Sequence, residues 1–202
     1  MCMDAHRKYV ALRRASSTGN EFKRKRFVRF LYIRFQRGVF MGEYQRVTHS
    51  FEPVYDENSK ILILGSLPSV KSREEGFYYG HPRNRFWKVL SRILKCTEPV
   101  TIEEKKSMLL IHGIALWDVI ASCEIKGSSD SSIKNVIPAD ISGLLRKTSI
   151  KKIYVNGKTA GNLYKKYVES ATGVACTVLP STSPANAAYS LEHLLEKWSV
   201  IF

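Results

Sequence analysis

Three patterns that assign a chain to a large protein class are missing from this sequence. No apolar run approaches the roughly 20 residues of a membrane-spanning helix, and we expect no membrane partner. The four cysteines lie far apart, the closest pair being Cys96 and Cys123, so no CxxC zinc or iron–sulfur motif occurs. Walker and dinucleotide-binding glycine patterns are absent as well. We therefore expect reduced thiols, no metal and no cofactor.

Acidic residues are also scarce. The chain has 18 Asp and Glu against 32 Lys and Arg, a net charge of +14 over 202 residues. Residues 1–40 carry +9 of this charge, and the other 162 residues carry +5. A positive excess favours a polyanionic partner such as nucleic acid. The apolar fraction of 44% is ordinary for a globular protein and excludes wholesale disorder.

The first 40 residues alternate basic clusters with aromatic residues, as in FKRKRFVRFLYIRFQRGVF. Three interpretations compete: a nucleic-acid-binding arm, a targeting peptide, or translated sequence upstream of a true start at Met41. A secretory signal does not fit, because basic residues interrupt every apolar run. We treat residues 1–47 as a poorly ordered, non-essential extension and residues 48–202 as one domain.

From residue 48 onward, strand-like and helix-like segments alternate. Short apolar runs predict strands at 60–65, 114–120, 150–157 and 175–180. Amphipathic or capped segments predict helices at 84–94, 101–113, 138–148, 158–171 and 186–201, the second with a Thr101–Glu104 capping box. We predict a long polar loop at 123–135. The alternation predicts the α/β class: a three-layer α/β/α sandwich with a central, mainly parallel four-stranded sheet.

Ligands of such sheets bind beyond the carboxyl ends of the strands. Two unusual segments follow predicted strands there: GSLPSVKSREEGFYYGHPRN (65–84) and LPSTSPAN (179–186). Hydroxyl groups and free backbone N–H groups suit phosphate binding. The candidate phosphate-binding residues are Ser66, Ser69, His81, Ser181 and Ser183. Turn formation by the serines, and a structural role for the His before Pro82, are the alternatives.

These two segments resemble the uracil-DNA glycosylase superfamily, most closely its hypoxanthine (deoxyinosine) DNA glycosylases. Residues 81–88, HPRNRFWK, are also similar to the HPxNRFWK element of mismatch-specific uracil-DNA glycosylases. The resemblance extends over residues 48–202. It implies an enzyme that extrudes a damaged base from DNA and hydrolyses its glycosidic bond.

Two positions depart from the pattern of those relatives. Leu67 stands where mismatch-specific enzymes have a water-orienting Asn, and Leu179 stands where other relatives have a His. The resemblance therefore implies Asn84 as the catalytic residue, as in the hypoxanthine branch. An amide oxygen can orient a water molecule, and its NH2 group can donate to base or phosphate. The alternative is an N-cap of the following helix, and the two roles are compatible.

The resemblance also implies that Tyr79 is the aromatic residue on which the extruded base stacks. Tyr78 and Leu67 are grouped with it as base-contacting residues, with core packing as the alternative. Asp118 and Asp130 are the nearby carboxylates; one of them could stabilise a sugar cation, or both could be solvated. Asn156 could contact substrate backbone or form a turn with Gly157.

The predicted function is that of a monofunctional DNA glycosylase that removes deaminated bases, chiefly hypoxanthine. We expect DNA containing a deaminated base as partner, a monomer, and a cytoplasmic (bacterial-type) or nuclear location. A uracil or mismatch glycosylase is the alternative in the same class. A catalytically inactive DNA-binding protein on this scaffold is an alternative in another class, and an unrelated phosphate-binding α/β protein is a weaker one.

Overall fold

The computed structural model of the chain describes residues 43–127 and 129–202. The basic segment up to residue 42, with its three interpretations, lies outside the described residues. The strands are β1 Gln45–Thr48, β2 Ile61–Gly65, β3 Ile114–Asp118, β4 Ile120–Ile125, β5 Lys134–Pro138, β6 Lys152–Asn156 and β7 Cys176–Leu179. The helices are α1 Val70–Glu75, α2 Phe86–Ile93, α3 Ile102–Ile111, α4 Ile141–Arg146, α5 Lys158–Tyr167, α6 Glu169–Thr172 and α7 Leu191–Trp198.

The central sheet has the strand order β3-β2-β6-β7, and every pairing in it is parallel. All five residues of β2 are buried, as expected for a strand that is covered on both faces. The predicted four-stranded sheet is therefore confirmed. Each predicted strand lies in it, although the predicted 114–120 strand divides at Val119 into β3 and β4.

Alternate residues of the strands point to two separate cores. Ile61, Ile63 and Leu116 pack on one face against α2, α3 and α7. Leu62 and Leu64 pack on the other face against α4 and α5. This period of two places a helical layer on each side of the sheet, which confirms the three-layer sandwich.

Local signals in the sequence set several helix ends. Thr101 and Glu104 form the predicted capping box at the start of α3, with both reciprocal hydrogen bonds present. Ser190 caps α7 by accepting the backbone N–H of His193. Helix α2 buries Phe86, Trp87 and Leu90 in the first core. The short helix α1, absent from the prediction, begins at Ser69 inside the first of the two unusual segments.

A second, antiparallel sheet of order β1-β4-β5 was not predicted. It shows that the predicted polar loop at 123–135 is wrong at both ends, because residues 123–125 belong to β4 and residues 134–135 to β5. Strand β4 is stabilised by pairing with β1, where Gln45 faces Ile125. Such a partner, distant in sequence, leaves no local signal in a short strand of mixed polarity.

Residues Tyr44–Phe202 form one compact unit. The predicted extension 1–47 includes all of β1 except its last residue, Thr48. Among the described residues, no helix is long and apolar enough to cross a membrane.

Candidate active site

Three neighbouring strands end in one row of residues: Asp118, Gly65 and Asn156. Gly65 is aligned with Asp118, and the alignment of Leu64 with Val155 carries the same register on to Asn156. Aligned residues of adjacent strands point to the same face of a sheet. This row, which we call the floor, therefore brings a carboxylate and an amide to the two sides of a glycine.

Gly65 is required by what surrounds it. A Cβ atom at this position would lie well inside contact distance of Asp118 Oδ1 and 3.3 Å from the Tyr79 hydroxyl oxygen. The space that a side chain would take is therefore already used by Asp118 and Tyr79. No larger residue fits without displacing one of them.

A cavity of about 410 Å³ opens on the floor. This volume lies within the range of small-ligand sites. Eight of the nine predicted site residues line the cavity: Ser66, Leu67, Ser69, Tyr78, Tyr79, Asn84, Ser181 and Ser183. The ninth, His81, is not among the described residues that line it. The loops at 66–69 and 181–185 form its edge, and we call them the rim.

Asn84 uses its carbonyl oxygen entirely within the protein. Its Oδ1 accepts the backbone N–H of Phe86 at 3.0 Å, at the start of α2, and the hydroxyl of Thr182 at 3.0 Å. An amide oxygen has two lone pairs, and both are thus taken. The NH2 group is the part of Asn84 that remains to meet a ligand, and a helix-start hydrogen bond coexists with its place in the cavity wall.

Thr182 connects Asn84 with Asn156. It is fully buried, and its hydroxyl accepts from Asn156 Nδ2 at 2.9 Å while donating to Asn84. Its backbone N–H donates to Asn156 Oδ1 at 2.9 Å. The three residues form a chain in which each hydrogen bond polarises the next, so the two amides are held in fixed orientations.

Tyr79 is held in an unusual conformation. Its φ of 54° lies in the left-handed region, which a bulky residue occupies only when its surroundings impose it. The ring stacks on Phe86, with centroids 3.9 Å apart and an angle of 22° between the planes. Among the described residues its buried hydroxyl has no hydrogen-bond partner, and burial raises its pKa.

Asp118 is paired with His49, which follows β1. The distance from His49 Nε2 to Asp118 Oδ2 is 2.9 Å, and each side chain is only 6% exposed. Burial raises the pKa of the Asp118 carboxyl, and the hydrogen bond with His49 opposes that rise. The solvated-loop interpretation of Asp118 is therefore wrong. Asp130 is more exposed and lies on the cavity wall near Thr159.

Tyr78 and Leu67 touch the cavity but are anchored elsewhere. Tyr78 is 2% exposed, and its hydroxyl donates to the carbonyl of Glu52 at 3.1 Å. Leu67 packs against a small core of the second sheet that contains Ile120. Core packing is thus the main contact of both side chains.

The serine hydroxyls of the rim mostly serve the backbone. Ser69 caps α1 by accepting the N–H of Ser72 at 3.2 Å. Ser181 Oγ accepts the N–H of Ser183, and Ser183 Oγ accepts the N–H of Ala185, each at 3.2 Å. These hydrogen bonds are typical of turns and helix caps. The Ser69 hydroxyl also contacts the Ser72 hydroxyl at 3.0 Å, whereas Ser181 and Ser183 each keep a lone pair and the O–H for a ligand.

Arg85 joins the two unusual segments. Its guanidinium donates to the carbonyls of Ser183 and Asn186, each at 2.9 Å, and to that of Tyr189. The neighbouring His81 instead accepts the N–H of Arg83 through Nδ1 at 3.1 Å, a local turn contact. Arg85 thus fixes the second rim loop beside Asn84.

Sequence reasoning missed Arg85, Thr182 and His49 as parts of the site. Arg85 and Thr182 lie within the quoted motifs, so their position in these motifs could have indicated that they belong to the site. His49 lies 69 residues from Asp118 and in no motif, so no local pattern indicates it. In residues 43–127 and 129–202, no group of three or more His, Cys, Asp or Glu is placed to hold a metal ion.

Residues 52–200 match the sequence model of the Uracil DNA glycosylase superfamily. The chain belongs to this superfamily. It is 36% identical over 158 residues to a protein of Methanosarcina acetivorans named hypoxanthine DNA glycosylase, covering 77% of this chain and 98% of that one. A protein of the same name from Methanosarcina barkeri is 35% identical over 154 residues, covering 75% and 96%.

A solved structure supports the same assignment of the superfamily fold. The solution NMR structure of a uracil-DNA-glycosylase-like protein from Methanosarcina acetivorans superposes with a TM-score of 0.67 at 35% identity. The superposition covers 78% of this chain and 97% of the chain in the NMR structure. The predicted resemblance to the superfamily and to its hypoxanthine branch is thereby confirmed.

Proposed function

We propose that this superfamily member is a monofunctional DNA glycosylase that hydrolyses the N-glycosidic bond of deoxyinosine in DNA. The observation that carries the proposal is that Asn84, from one motif, lines the cavity and accepts the hydroxyl of Thr182, from the other motif. The relatives named hypoxanthine DNA glycosylase, matched over nearly their whole length, support the choice of base.

Tyr79 provides the platform for the extruded base. One face of its ring is covered by Phe86, and the residue lines the cavity. A base that leaves the DNA stack can regain stacking on the other face, an interaction that contributes about 1–3 kcal/mol. The strained backbone of Tyr79 fixes the ring in this position before DNA binds.

Asn84 acts through its NH2 group. When the glycosidic bond breaks, the electron pair stays with the base and the sugar becomes a cation that water attacks at the anomeric carbon. The water loses a proton, the base gains one, and the products are an abasic site and free hypoxanthine. A fixed N–H donor stabilises the negative charge that develops on the leaving base. Because Oδ1 already accepts two hydrogen bonds, the oxygen is not free to orient the water.

The rim holds the phosphates on either side of the extruded nucleotide. Since the hydroxyls of Ser69, Ser181 and Ser183 already serve turns, backbone N–H groups and the basic lining residues Arg73 and Lys158 supply much of the attraction. The protein acts as a monomer and requires no metal. Chelator treatment should leave excision unchanged, and light scattering should give the mass of one chain.

The test is single-turnover excision from oligonucleotides that carry one deoxyinosine or one deoxyuridine. The wild type should release hypoxanthine and leave an abasic site. Asn84→Ala should be at least about 100-fold slower. Asn84→Asp should be equally impaired, because its carboxylate keeps both acceptor contacts but has no N–H to donate. Asn162→Asp, at an exposed amide on α5, is the matched control and should match the wild type.

Three other outcomes would change the role proposed for Asn84 or the function proposed for the protein. An Asn84→Asp variant as fast as the wild type would mean that the residue works as a base toward water, contrary to the role given to its NH2 group. Faster release of uracil than of hypoxanthine would make the protein a uracil or mismatch glycosylase. If the protein binds DNA but gives no abasic product from either lesion, it is a catalytically inactive DNA-binding protein.

A further inference from the structure

The second sheet, β1-β4-β5, is a part of the fold that the chemistry assigned to Asn84 does not use. Successive residues of its strands point to opposite faces. Cys123 and Ile125 are buried on one face, where Val47 and the rim residue Leu67 pack against them. The opposite face carries polar and charged side chains, and it has no role in the site described above.

Three cationic side chains lie together on that opposite face. Paired residues of neighbouring strands point to the same side of a sheet, so Arg46, Glu124 and Lys134, which are paired in turn, form one row. Tyr44 precedes Arg46 by two residues and Lys126 follows Glu124 by two, which places both on the same side. Four of these side chains are exposed, and we call them the basic face: Tyr44, Arg46, Lys126 and Lys134.

The positive charge of the basic face is only partly neutralised. Glu124 supplies one carboxylate, whose Oε2 lies 3.5 Å from Lys134 Nζ. The Arg46 guanidinium donates to the neutral hydroxyl of Ser122 at 3.1 Å. Lys126 forms no ion pair with any described residue. Three cations against this carboxylate leave an excess of positive charge, which favours an anionic partner.

The ring of Tyr44 brings two of these cations close together. Lys134 Nζ lies 3.4 Å and Lys126 Nζ 4.8 Å from the ring centroid. The face of an aromatic ring attracts a cation, but two ammonium groups beside one ring repel each other. A bound anion would relieve that repulsion. Because the ring already orders both side chains, less conformational entropy is lost when the anion binds.

The basic face begins at the wall of the cavity. Lys126 stands between Ile125 and Gly127, and both of these neighbours line the cavity. Each strand of a DNA duplex carries one phosphate per about 3.4 Å of helix axis. A duplex that places one nucleotide in the cavity therefore continues past the cavity edge as a row of negative charges. The anion nearest to the basic face is then the bound DNA itself.

We propose that the basic face binds the phosphate backbone of the DNA that flanks the extruded nucleotide. This inference rests on the proposed function and adds a second DNA-binding surface to the rim. Contacts with phosphate fix the position of the duplex but read neither sequence nor damage. The basic face should therefore strengthen binding equally to a duplex with deoxyinosine and to an undamaged one.

The test measures how the DNA affinity of the full chain depends on salt. Affinity is followed by fluorescence anisotropy between about 50 and 200 mM KCl. The DNA is a duplex of about two helical turns, roughly 20 base pairs, with or without one central deoxyinosine. The variant combines Lys126→Gln with Lys134→Gln. Every protein keeps residues 1–42, so any contribution of that basic segment is the same throughout.

The matched control combines Lys105→Gln with Lys106→Gln on α3. It removes the same amount of charge, and its ammonium groups also lie over aromatic rings, 5.5 Å from the centroid of Trp87 and 5.9 Å from that of Phe77. Neither lysine is a described lining residue of the cavity. The control therefore separates a local contact from the effect of net charge, and thermal melting confirms that each variant folds.

The Lys126 and Lys134 variant should bind both duplexes on the order of 10-fold more weakly at about 100 mM salt. Each lost phosphate contact lowers the slope of log affinity against log salt by about 0.9, so the slope should become shallower by about 2. The Lys105 and Lys106 control should keep the wild-type slope and change the affinity by less than about 3-fold.

Two single variants examine the parts of the basic face. Glu124→Gln removes the carboxylate and should tighten binding by about 3-fold. Tyr44→Leu keeps both ammonium groups but removes the ring that orders them. It should weaken binding by about 2- to 5-fold and leave the salt slope unchanged.

A trinucleotide with central deoxyinosine shows whether the contact lies in the flanking DNA. Its affinity, measured by competition, should be the same for the wild type and for the Lys126 and Lys134 variant. A loss as large as that on the duplex would mean that the lysines touch the extruded nucleotide itself, which overturns the proposal.

Three further results would overturn the proposal. The first is an unchanged salt slope in a folded Lys126 and Lys134 variant. The second is an equal loss in the Lys105 and Lys106 control, which would assign the effect to net charge. The third is an unchanged slope together with loss of binding to phosphatidylserine vesicles, which would assign the face to an anionic membrane.

Failure of the inference and failure of the proposed function give different results. Release of hypoxanthine with a salt slope that the two lysines do not alter overturns the basic face and leaves the glycosylase intact. A wild type that releases no base, but whose slope depends on Lys126 and Lys134 as expected, overturns the enzymatic function and supports the DNA contact.

Discussion

At the floor of the cavity the polar side chains stand at the ends of strands, whereas at the rim they stand in loops. The position of Asp118 and Asn156 follows from the pairing of β3, β2 and β6, in which each residue is fixed by its neighbours across the sheet. The hydroxyls of three rim serines accept backbone N–H groups two or three residues further along the chain: Ser69, Ser181 and Ser183.

The two regions consequently differ in what their side chains have left to offer a ligand. Asp118 uses Oδ2 within the protein and extends Oδ1 over Gly65, whereas Asn156 contacts Thr182 through both Oδ1 and Nδ2 and keeps one N–H of Nδ2. The hydroxyls of the rim serines, in contrast, form hydrogen bonds with backbone N–H groups of their own loops. Substitutions at the floor should therefore affect base recognition and rate, and substitutions at the rim should affect local stability.

The largest expected effect is that of Gly65→Ala. Its Cβ would displace the Asp118 carboxylate or the Tyr79 hydroxyl, so excision of deoxyinosine should fall at least about 100-fold. The measurement is the single-turnover rate together with the melting temperature. Gly80→Ala is the matched control, because its Cβ would meet mainly the movable Glu75 side chain, whose carboxylate lies 2.9 Å away. Near-normal activity of Gly65→Ala would show that the floor is not rigid.

Tyr79→Ala should reduce excision by about 10- to 100-fold through the loss of base stacking. Tyr79→Phe keeps the ring and removes a buried hydroxyl that has no partner among the described residues, so it should retain most of the rate and melt at the same or a higher temperature. Equal impairment of the two variants would assign the main role to the hydroxyl rather than to the ring.

Thr182→Val should have an intermediate effect. The replacement has a similar size but removes the hydroxyl that joins the Asn84 and Asn156 amides, at a cost of about 1–3 kcal/mol in the free energy of unfolding. Excision should fall about 10-fold as the two amides lose their fixed orientation. Thr182→Ser retains the hydroxyl and should recover most of the loss. Chemical denaturation and single-turnover rates measure the two quantities separately.

The smallest effect is expected at the rim, from Ser69→Ala. Loss of the cap of α1 should lower the free energy of unfolding by about 1 kcal/mol, while the excision rate changes less than about 3-fold. Ser181→Ala should behave in the same way. A loss of rate or of DNA affinity as large as that of a floor variant would show that these hydroxyls hold phosphate directly.

Local patterns in the sequence were sufficient for the four strands of the central sheet and for the capping box of α3. Asn84 and Tyr79 were named because the segment at 65–84 resembles a motif of the superfamily, and both residues line the cavity. The use made of Asn84 could not be predicted, because it depends on Thr182, 98 residues further along the chain. The second sheet and the His49–Asp118 pair likewise depend on pairings between distant segments, which only the folded chain displays.

Strand β1 ends at Thr48, which is paired with Ser122, and the backbone N–H of the next residue, His49, donates to the carbonyl of Ala121 at 2.8 Å. This edge strand therefore also supports a buried imidazole that contacts Asp118, a residue of the cavity wall. Shortening the chain to begin at residue 48 would remove that support although no residue of either motif is lost, whereas beginning at Met41 would retain it. We expect the amino-terminal limit of a working enzyme to be set by this edge strand, which ends 17 residues before Gly65.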